Sequence, residues 1–289
     1  MNKRFTIGGV PEHFNLPWRL LLEEGTLNKE NIKLHWSDMT GGTGQMIKGL
    51  ETGTLDIAVL LTEGVTMAIL KGLKAKIVSV YLESPLCWGV HVPYDSVYNS
   101  IEELKDRVFA ISREGSGSHL MTYIKALELG WDIDQMKFNV IGDIYGGLWA
   151  LQNQAADGFL WEKYTTDPFV VQGKCRRIGE IITPWPCFVV AVREEILESN
   201  HVELNKIMEL VLGRAKELKK DTNAPDIFAW RYNLTNSEVS NWLNETNWSY
   251  EQTIPKEKFE EVVDYLAKTG LVHNKQTENW KDKLFIKTL

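Results

Sequence analysis

The stretch SREGSGSHLMTYIKALELG, residues 112–130, decides the fold because it joins a strand to a helix through a loop of glycine and serine. Hydrophobic residues recur at helical spacing from residue 118 until Gly130. A single serine would already cap such a helix by accepting a hydrogen bond from one orphan amide. The run from Gly115 to Ser118 exceeds that need and leaves N–H groups free for an anion or a polar ligand. The loop therefore predicts either a ligand-binding helix N-terminus or a flexible surface loop with a serine cap.

The same strand-then-helix rhythm extends outward from this stretch over the first two hundred residues. Alternating or continuous apolar runs predict strands over residues 3–8, 32–37, 56–61, 76–82, 88–92, 107–112, 137–141, 158–161, 176–178 and 187–192. Amphipathic spacing predicts helices over residues 16–24, 41–53, 65–70, 118–129 and 148–153, from residue 162, and over 202–220, 235–244 and 256–268. Capping boxes are expected at residues 100–103 and 235–238. Such alternation is typical of parallel sheets flanked by helices.

Two apolar strands, residues 88–92 and 187–192, separate repeats of this rhythm and predict two lobes. We expect one lobe to hold residues 1–88 together with 190–289, including the C-terminal helices. The other lobe would hold residues 89–189. No internal repeat is visible in the sequence.

Composition and charge narrow the class of protein. The 289 residues are 44% hydrophobic and 25% charged, as in a globular protein. A net charge of −7 argues against nucleic acid as a partner, because phosphate-binding surfaces are usually basic. No apolar run is long enough to insert into a membrane or to form a secretory signal, so we expect a cytoplasmic protein, or a periplasmic one if a leader has been removed. The three scattered cysteines predict neither a zinc site nor a disulfide framework.

An ordered set of segments resembles a known family. The segments are residues 14–17 with 23–25, 41–44 with 53–59, 100–108, 115–118, and 150–152 with 156–162. Together they resemble the periplasmic-binding-protein-like superfamily, in its group of nitrate, sulfonate and taurine receptors and thiamine-pyrimidine-precursor proteins. Since no leader is visible in the sequence, the chain most resembles the subset of that group that lacks leaders and is cytoplasmic. The resemblance implies an α/β, two-lobed type 2 periplasmic-binding-protein-like fold with a ligand cleft between the lobes.

The resemblance and the strand-end positions together suggest a set of ligand-binding residues. In open α/β sheets, ligands bind at the carboxyl ends of strands and at helix N-termini. The residues expected there are His13, Phe14, Asn15, Gly42, Thr43, Thr62, Glu63, Ser84, Ser116, Gly117, Ser118, Asp143, Trp161 and Glu162. Hydroxyls and amides would donate to ligand oxygens, carboxylates would accept from amino groups, and Trp161 would stack on a ring. This mixture favours a small polar organic ligand, such as an aminopyrimidine or a sulfonate.

Several of these residues also have an ordinary structural interpretation. Glu63 and Glu162 would be favoured at helix starts by the helix dipole, and Trp161 would be core at the end of a buried strand. The alternative for His13 and His119 is a solvent-facing position, and neither residue has the paired spacing that metal binding requires. Trp230, Trp242 and Trp248 are expected to pack the C-terminal helices, and Asp56 and Asp157 to serve turns before strands.

The function expected from the resemblance is non-catalytic solute binding, with no catalytic residue, metal or cofactor. An ABC permease would be a partner if the protein is exported. The alternative is an enzyme of the same fold, because one branch of the family consists of pyrimidine-precursor synthases. Those synthases use a lysine and a histidine after the segment that corresponds to residues 56–61, and a cysteine cluster. This chain has neither lysine nor histidine directly after that segment, and its cysteines form no cluster.

Overall fold

A computed structural model describes residues 3–252 and 254–286, which form ten strands and thirteen α-helices. The strands are β1 (Lys3–Gly9), β2 (Ile32–Asp38), β3 (Ile57–Leu61), β4 (Ala75–Leu82), β5 (Cys87–Val92), β6 (Val108–Ile111), β7 (Lys137–Val140), β8 (Gly158–Glu162), β9 (Arg176–Ile182) and β10 (Phe188–Arg193). The helices are α1 (Leu16–Glu23), α2 (Thr26–Lys29), α3 (Gly42–Thr52), α4 (Thr62–Leu70), α5 (Gly117–Glu128), α6 (Ile144–Gln152), α7 (Lys163–Val171), α8 (Glu194–Lys220), α9 (Ala224–Tyr232), α10 (Asn236–Glu245), α11 (Lys256–Lys268), α12 (Asn274–Thr277) and α13 (Trp280–Leu284).

The chain divides into two compact units. The first unit takes the described residues of Met1–Ser84, Trp185–Val263 and Asn274–Leu289. The second takes Pro85–Pro184 and Asp264–His273. The sequence placed the corresponding divisions at residues 88 and 189, and it placed residues 264–273 with the first lobe rather than the second.

Each unit is built on one five-stranded mixed sheet. The strand order is β2-β1-β3-β10-β4 in the first unit and β7-β6-β8-β5-β9 in the second. The sheets are mixed rather than parallel throughout, because β10 runs antiparallel to both β3 and β4, and β5 runs antiparallel to both β8 and β9. Both reversed strands are apolar and almost wholly buried, as parallel strands also are, so composition does not reveal their direction.

The two strand orders are topologically equivalent, and one interaction is repeated with them. Asp56 precedes β3, and its carboxylate accepts a hydrogen bond from the Thr6 amide of β1 at 2.9 Å. Asp157 precedes β8, and its carboxylate accepts from the Val108 amide of β6 at 2.9 Å. Both aspartates therefore have a structural role, but they join neighbouring strands rather than serve the turns that the sequence suggested.

The helices begin and end largely where local signals place them. The capping box of Thr235 and Glu238 is confirmed at the start of α10. The capping box expected at residues 100–103 is wrong, because the Glu103 carboxylate accepts from the Asn99 amide instead, at 2.7 Å. Helix α8 begins eight residues earlier than expected, at Glu194 against residue 202, with a break in helical geometry at Asn200. Helix α9 was not predicted.

Candidate functional site

The predicted site residues lie near the carboxyl ends of the parallel strands in each unit. The first unit holds His13, Phe14, Asn15, Gly42, Thr43, Thr62, Glu63 and Ser84, and the second holds Ser116, Gly117, Ser118, Asp143, Trp161 and Glu162. Each set therefore gathers at one edge of its own sheet. The geometry divides the two sets into residues that hold the fold and residues with unused hydrogen-bonding capacity.

A 3₁₀ turn, His13–Asn15, follows β1 and is fixed through its central carbonyl group. The carbonyl oxygen of Phe14 accepts hydrogen bonds from Tyr81 Oη and from Trp248 Nε1, each at 2.9 Å. Trp248, expected only to pack helices, thus orients a predicted site segment. The turn is rigid because both donors are fully buried.

The His13 ring lies against aromatic side chains from the C-terminal helices. Its centroid is 4.1 Å from that of Trp242 and 6.0 Å from that of Tyr232. Burial lowers the pKa of His13 to about 4, so this ring is neutral at physiological pH. The solvent-facing interpretation of His13 is therefore wrong, since the ring is half-buried in an aromatic environment.

Asn15 is 1% exposed and uses only part of its amide. The side-chain Nδ2 donates to the Val10 carbonyl at 2.9 Å. Among the described residues, the buried Oδ1 atom has no hydrogen-bond partner. Asn15 therefore presents an unused acceptor at the end of β1.

The turn between β3 and α4 is tightly held. The Thr62 hydroxyl donates to the Pro186 carbonyl, and Thr43 Oγ1 accepts from the Leu61 amide at 3.3 Å. A Cβ atom built on Gly64 would lie 2.5 Å from Thr43 Cγ2, so only glycine allows the start of α3 this close to α4. Thr43 and Thr62 are both buried, and their hydroxyl groups mainly organise this turn.

Glu63 lies in the first turn of α4 and is 2% exposed. Its Oε2 atom accepts a hydrogen bond from Trp185 Nε1 at 3.1 Å. Within the described part of the chain, Oε1 has no hydrogen-bond partner and the carboxyl group has no ion-pair partner. Burial raises the pKa of Glu63 to about 7, and the hydrogen bonds from its own backbone and from Trp185 lower it less.

Ser84 has a structural role in the first unit. Its hydroxyl oxygen accepts from the Asn247 amide at 3.2 Å, and its carbonyl accepts from the Cys187 amide at 3.2 Å. These bonds connect the end of β4 to the C-terminal part and to the start of β10. Gly42 adopts a positive φ of 64°, and no atom lies within 4 Å of where its Cβ would be.

In the second unit, the serines of the opening loop bond to their own loop and helix. Ser116 is the N-cap of α5, and its Oγ accepts from the His119 amide at 3.3 Å. Ser118 Oγ accepts from the Ser112 amide at 3.1 Å and lies 3.0 Å from Ser116 Oγ. Both serines and Gly117 are buried. Since one hydroxyl hydrogen serves the bond between the serines, one hydroxyl hydrogen of the pair remains available.

His119 also contacts this loop. It is only 5% exposed, so the solvent-facing interpretation of His119 is wrong. Its Nδ1 accepts a hydrogen bond from the Gly115 amide at 2.9 Å, which requires the neutral ring. Burial lowers the pKa of His119 to about 4. The ring packs against Tyr123 and Phe138, each with a centroid separation of 4.5 Å.

Arg113 precedes this loop and is separated from the end of β6 only by Ser112. Its side chain is half-buried, and burial lowers the pKa of its guanidinium group. Across residues 3–252 and 254–286, no carboxylate forms an ion pair with this guanidinium and no acceptor hydrogen-bonds to it. From the sequence, Arg113 has two interpretations, a charge beside the ligand or a side chain that faces solvent; in the structure it is half-buried and has no partner among the described residues.

Asp143 and Glu162 both act as helix caps. Asp143 accepts from the Gly146 amide at 2.9 Å at the start of α6. Glu162 accepts from the amides of Tyr164 and Thr165, at 3.0 and 2.7 Å, and from the Thr165 hydroxyl at 2.6 Å. Burial raises the pKa of Glu162 despite these bonds. For both residues the capping interpretation accounts for the contacts.

Trp161 ends β8 in a half-buried position. Its ring lies 5.4 Å from the Phe159 ring, centroid to centroid, and packs on the core of the second unit. Because Trp161 is only half-buried, part of the residue is accessible, and stacking of its ring on a ligand stays a prediction.

Among the described residues, no group of three or more His, Cys, Asp and Glu side chains is placed to hold a metal ion. No helix in the same part of the chain combines the length and the hydropathy that crossing a membrane requires.

Known proteins match this chain in fold and, over one part, in sequence. Residues 88–181, all within the second unit, match the family model described as Ca3427-like PBP. The Candida albicans CA3427 gene product is 20% identical, with a TM-score of 0.89, over 99% of this chain and 96% of that one. The CA3427 gene product has the generic periplasmic binding protein fold. This chain has the periplasmic-binding-protein-like fold.

Two sulfonate-binding proteins share this fold at lower similarity. The alkanesulfonate-binding protein SsuA from Xanthomonas axonopodis pv. citri, bound to MOPS, is 14% identical over 94% of this chain and 95% of that one, with a TM-score of 0.78. The periplasmic aliphatic sulphonate binding protein SsuA from Escherichia coli is 15% identical over 100% of this chain and 94% of that one, with a TM-score of 0.75. A comparison with curated protein sequences gave no match.

Proposed function

We propose that this protein binds a small organic anion without transforming it, and that a sulfonate-like group is recognised by Arg113 and the loop before α5. The observation that carries this proposal is the half-buried Arg113 side chain, with which none of the described carboxylates forms an ion pair. A buried or half-buried charge is costly unless it is paired, so an anionic ligand would complete this site. The alkanesulfonate-binding proteins of the same fold support the ligand class.

The surroundings of Arg113 suit an anion. Helix α5 has twelve residues and begins two positions after Gly115, so its N-terminal amides add partial positive charge. The hydroxyl hydrogen left available by Ser116 and Ser118 supplies one further donor. An aminopyrimidine has no charged group for Arg113, which favours the sulfonate over the aminopyrimidine that the sequence also suggested.

The hydroxyl contacts support binding rather than catalysis. Ser116 and Ser118 bond to each other and to backbone amides, and the His119 ring accepts from a backbone amide at Nδ1. A serine nucleophile would instead need a base in contact with its hydroxyl group. An ABC permease is the expected partner only if the protein is exported.

Isothermal titration calorimetry with 1-propanesulfonate and with 4-aminopyrimidine tests the proposal. The parent protein should bind the sulfonate, and Arg113→Gln should bind it at least tenfold more weakly. That loss corresponds to about 1.4 kcal/mol, near the lower end for a hydrogen bond to a charged group. Arg107→Gln is the matched control, because Arg107 is an exposed arginine at the other end of β6.

Equal affinity of the parent and Arg113→Gln for the sulfonate would contradict the role of Arg113. Tight binding of 4-aminopyrimidine with no binding of the sulfonate would replace the proposed ligand class. Steady formation of a product from either compound, measured by mass spectrometry, would favour the enzyme alternative.

A further inference from the structure

His119, in the first turn of α5, is hydrogen-bonded to two consecutive residues of the loop that precedes the helix. Its ring Nδ1 accepts from the Gly115 amide at 2.9 Å, and its backbone amide donates to Ser116 Oγ at 3.3 Å. All three residues belong to the second unit. His119 therefore connects the loop to a helix that is itself packed in the unit.

The surroundings of the ring do not otherwise require a histidine. The ring packs against Tyr123 and Phe138, each with a centroid separation of 4.5 Å. Since Nδ1 accepts a hydrogen bond, the neutral ring carries its hydrogen on Nε2. That nitrogen is buried and has no hydrogen-bond partner among the described residues, which costs free energy that a phenylalanine ring would not cost. The bond from Gly115 is therefore the contact that explains a histidine at this position.

Gly115 lies in a tight turn whose shape depends on one peptide group. The Ser116 amide donates to the Arg113 carbonyl at 3.1 Å, which closes a four-residue turn. Gly115 is the third residue of this turn and has a φ of 68°, as is typical of a type II turn. Type I and type II turns differ by rotation of the peptide group between their second and third residues, here Glu114 and Gly115. The hydrogen bond to His119 fixes the orientation of that peptide group.

The same turn carries the groups that the proposed function assigns to the anion. Arg113 is its first residue, and Ser116, its last, caps α5. Glycine adopts positive and negative φ at similar cost, so Gly115 alone does not hold the turn in one form. Without the bond to His119, the backbone between Arg113 and the first amides of α5 would have more than one accessible arrangement.

We propose that His119 is a positioning residue of the anion-binding site, because its Nδ1 holds the turn from Arg113 to Ser116 in the arrangement that binds the solute. The inference rests on the proposed function and adds a residue that acts through Gly115 without contacting the ligand. A loop that is ordered before binding loses less conformational entropy when the ligand binds. The pKa of His119, about 4, keeps the Nδ1 lone pair available at neutral pH.

Two substitutions separate the acceptor of His119 from the packing of its ring. His119→Phe keeps a ring against Tyr123 and Phe138 and removes the acceptor. His119→Asn is the matched control, because it removes the ring and offers Oδ1 as an acceptor near the position of Nδ1. Both variants and the parent would be titrated with 1-propanesulfonate by calorimetry at neutral pH, and unfolded in urea without ligand.

The order of affinities should be the reverse of the order of stabilities. His119→Phe should bind 1-propanesulfonate about five- to tenfold more weakly than the parent, because its loop must be ordered on binding. His119→Asn should bind within about twofold of the parent, although the lost ring packing makes it the less stable of the two variants. A residue with a purely structural role would not give this reversal.

Hydrogen exchange of the Gly115 amide adds a measurement that needs no variant. In the free parent protein this amide should exchange at least about tenfold more slowly than an unprotected amide, because its hydrogen bond is present before ligand binds. Exchange at the unprotected rate would overturn the inference even if His119→Phe does not fold.

The outcomes distinguish this inference from the proposed function. If the parent binds 1-propanesulfonate and His119→Phe binds it equally well, the inference is wrong and sulfonate binding stands. If both variants lose affinity in proportion to their loss of stability, His119 is structural and the inference is also wrong. If the parent does not bind the sulfonate, the proposed function fails, and the inference fails with it.

Discussion

Replacing Glu63 with glutamine should stabilise the folded protein increasingly as the pH rises. Burial raises the pKa of Glu63 from 4.5 to about 7. A carboxyl group with a raised pKa favours the folded state while it is neutral, below about 4.5, and that contribution is lost as the pH rises through 7. The interval corresponds to about 3 kcal/mol at 1.36 kcal/mol per pKa unit. Glutamine cannot ionise, so the variant avoids this loss.

The expected difference follows from the linkage relation. The advantage of Glu63→Gln in unfolding free energy should grow by about 2 kcal/mol between pH 5.5 and pH 8.5. Urea unfolding followed by tryptophan fluorescence at several pH values measures it, because Trp185 and Trp248 are buried in the same unit. The test uses only the change of this free-energy difference with pH, because loss or weakening of the Trp185 hydrogen bond in the variant adds the same amount at every pH.

The control is Glu198→Gln, because Glu198 is exposed on α8. Its effect on unfolding free energy should stay constant over the same pH range. If the difference between Glu63→Gln and the parent also stays constant, the carboxyl group is not held neutral by burial. The reasoning about its missing partner would then fail as well.

Two further outcomes can be measured with the same unfolding assay, and a third needs a binding titration beside it. Ser118→Ala should lower the unfolding free energy by about 1–3 kcal/mol, because it leaves the buried Ser112 amide without its acceptor. Ser116→Ala should lower it by about 1 kcal/mol, because α5 loses its N-cap. Equal small losses in both variants would contradict the role of Ser118 as the acceptor of the Ser112 amide. The lowered pKa of His119, about 4, gives stability that is present above about 6.5 and lost as the pH falls toward 4, so His119→Asn should flatten this acid loss. Trp161→Ala should weaken sulfonate binding by about 1–3 kcal/mol if the ring stacks on the ligand, and should only lower stability if it is core.

Local signals in the sequence predicted most of the elements. The apolar run of β3, the glycine that ends α3 and the loop before α5 are each visible within a few residues. Gly53 has a φ of 74°, the left-handed conformation that terminates a helix and that glycine adopts without strain. Where a rule depends on neighbours in sequence, the prediction and the structure agree for most elements, and the capping box expected at residues 100–103 is an exception.

Most of the features that the sequence did not predict depend on residues far apart in the chain. The sequence around Glu63 does not predict its hydrogen bond from Trp185, which lies 122 residues away in the chain. Trp248 reaches the Phe14 carbonyl across 234 residues. The direction of β5 and β10 depends on pairing with strands distant in sequence, and a buried apolar run suits either direction. Long-range hydrogen bonds and strand direction are not encoded in local periodicity.

The repeated topology separates residues that build the sheet from residues that remain available for binding. Asp56 and Asp157 occupy equivalent positions and make the same bond to the neighbouring strand, as a shared structural requirement demands. Leu61 and Glu162 also occupy equivalent positions, as the last residues of β3 and β8, but only Glu162 caps the helix that follows, with both of its oxygens. Glu63 lies two residues beyond Leu61, and its Oε1 atom has no hydrogen-bond partner among the described residues. The contacts of the sheets and helices therefore account for Glu162, whereas Glu63 keeps one acceptor that they do not use.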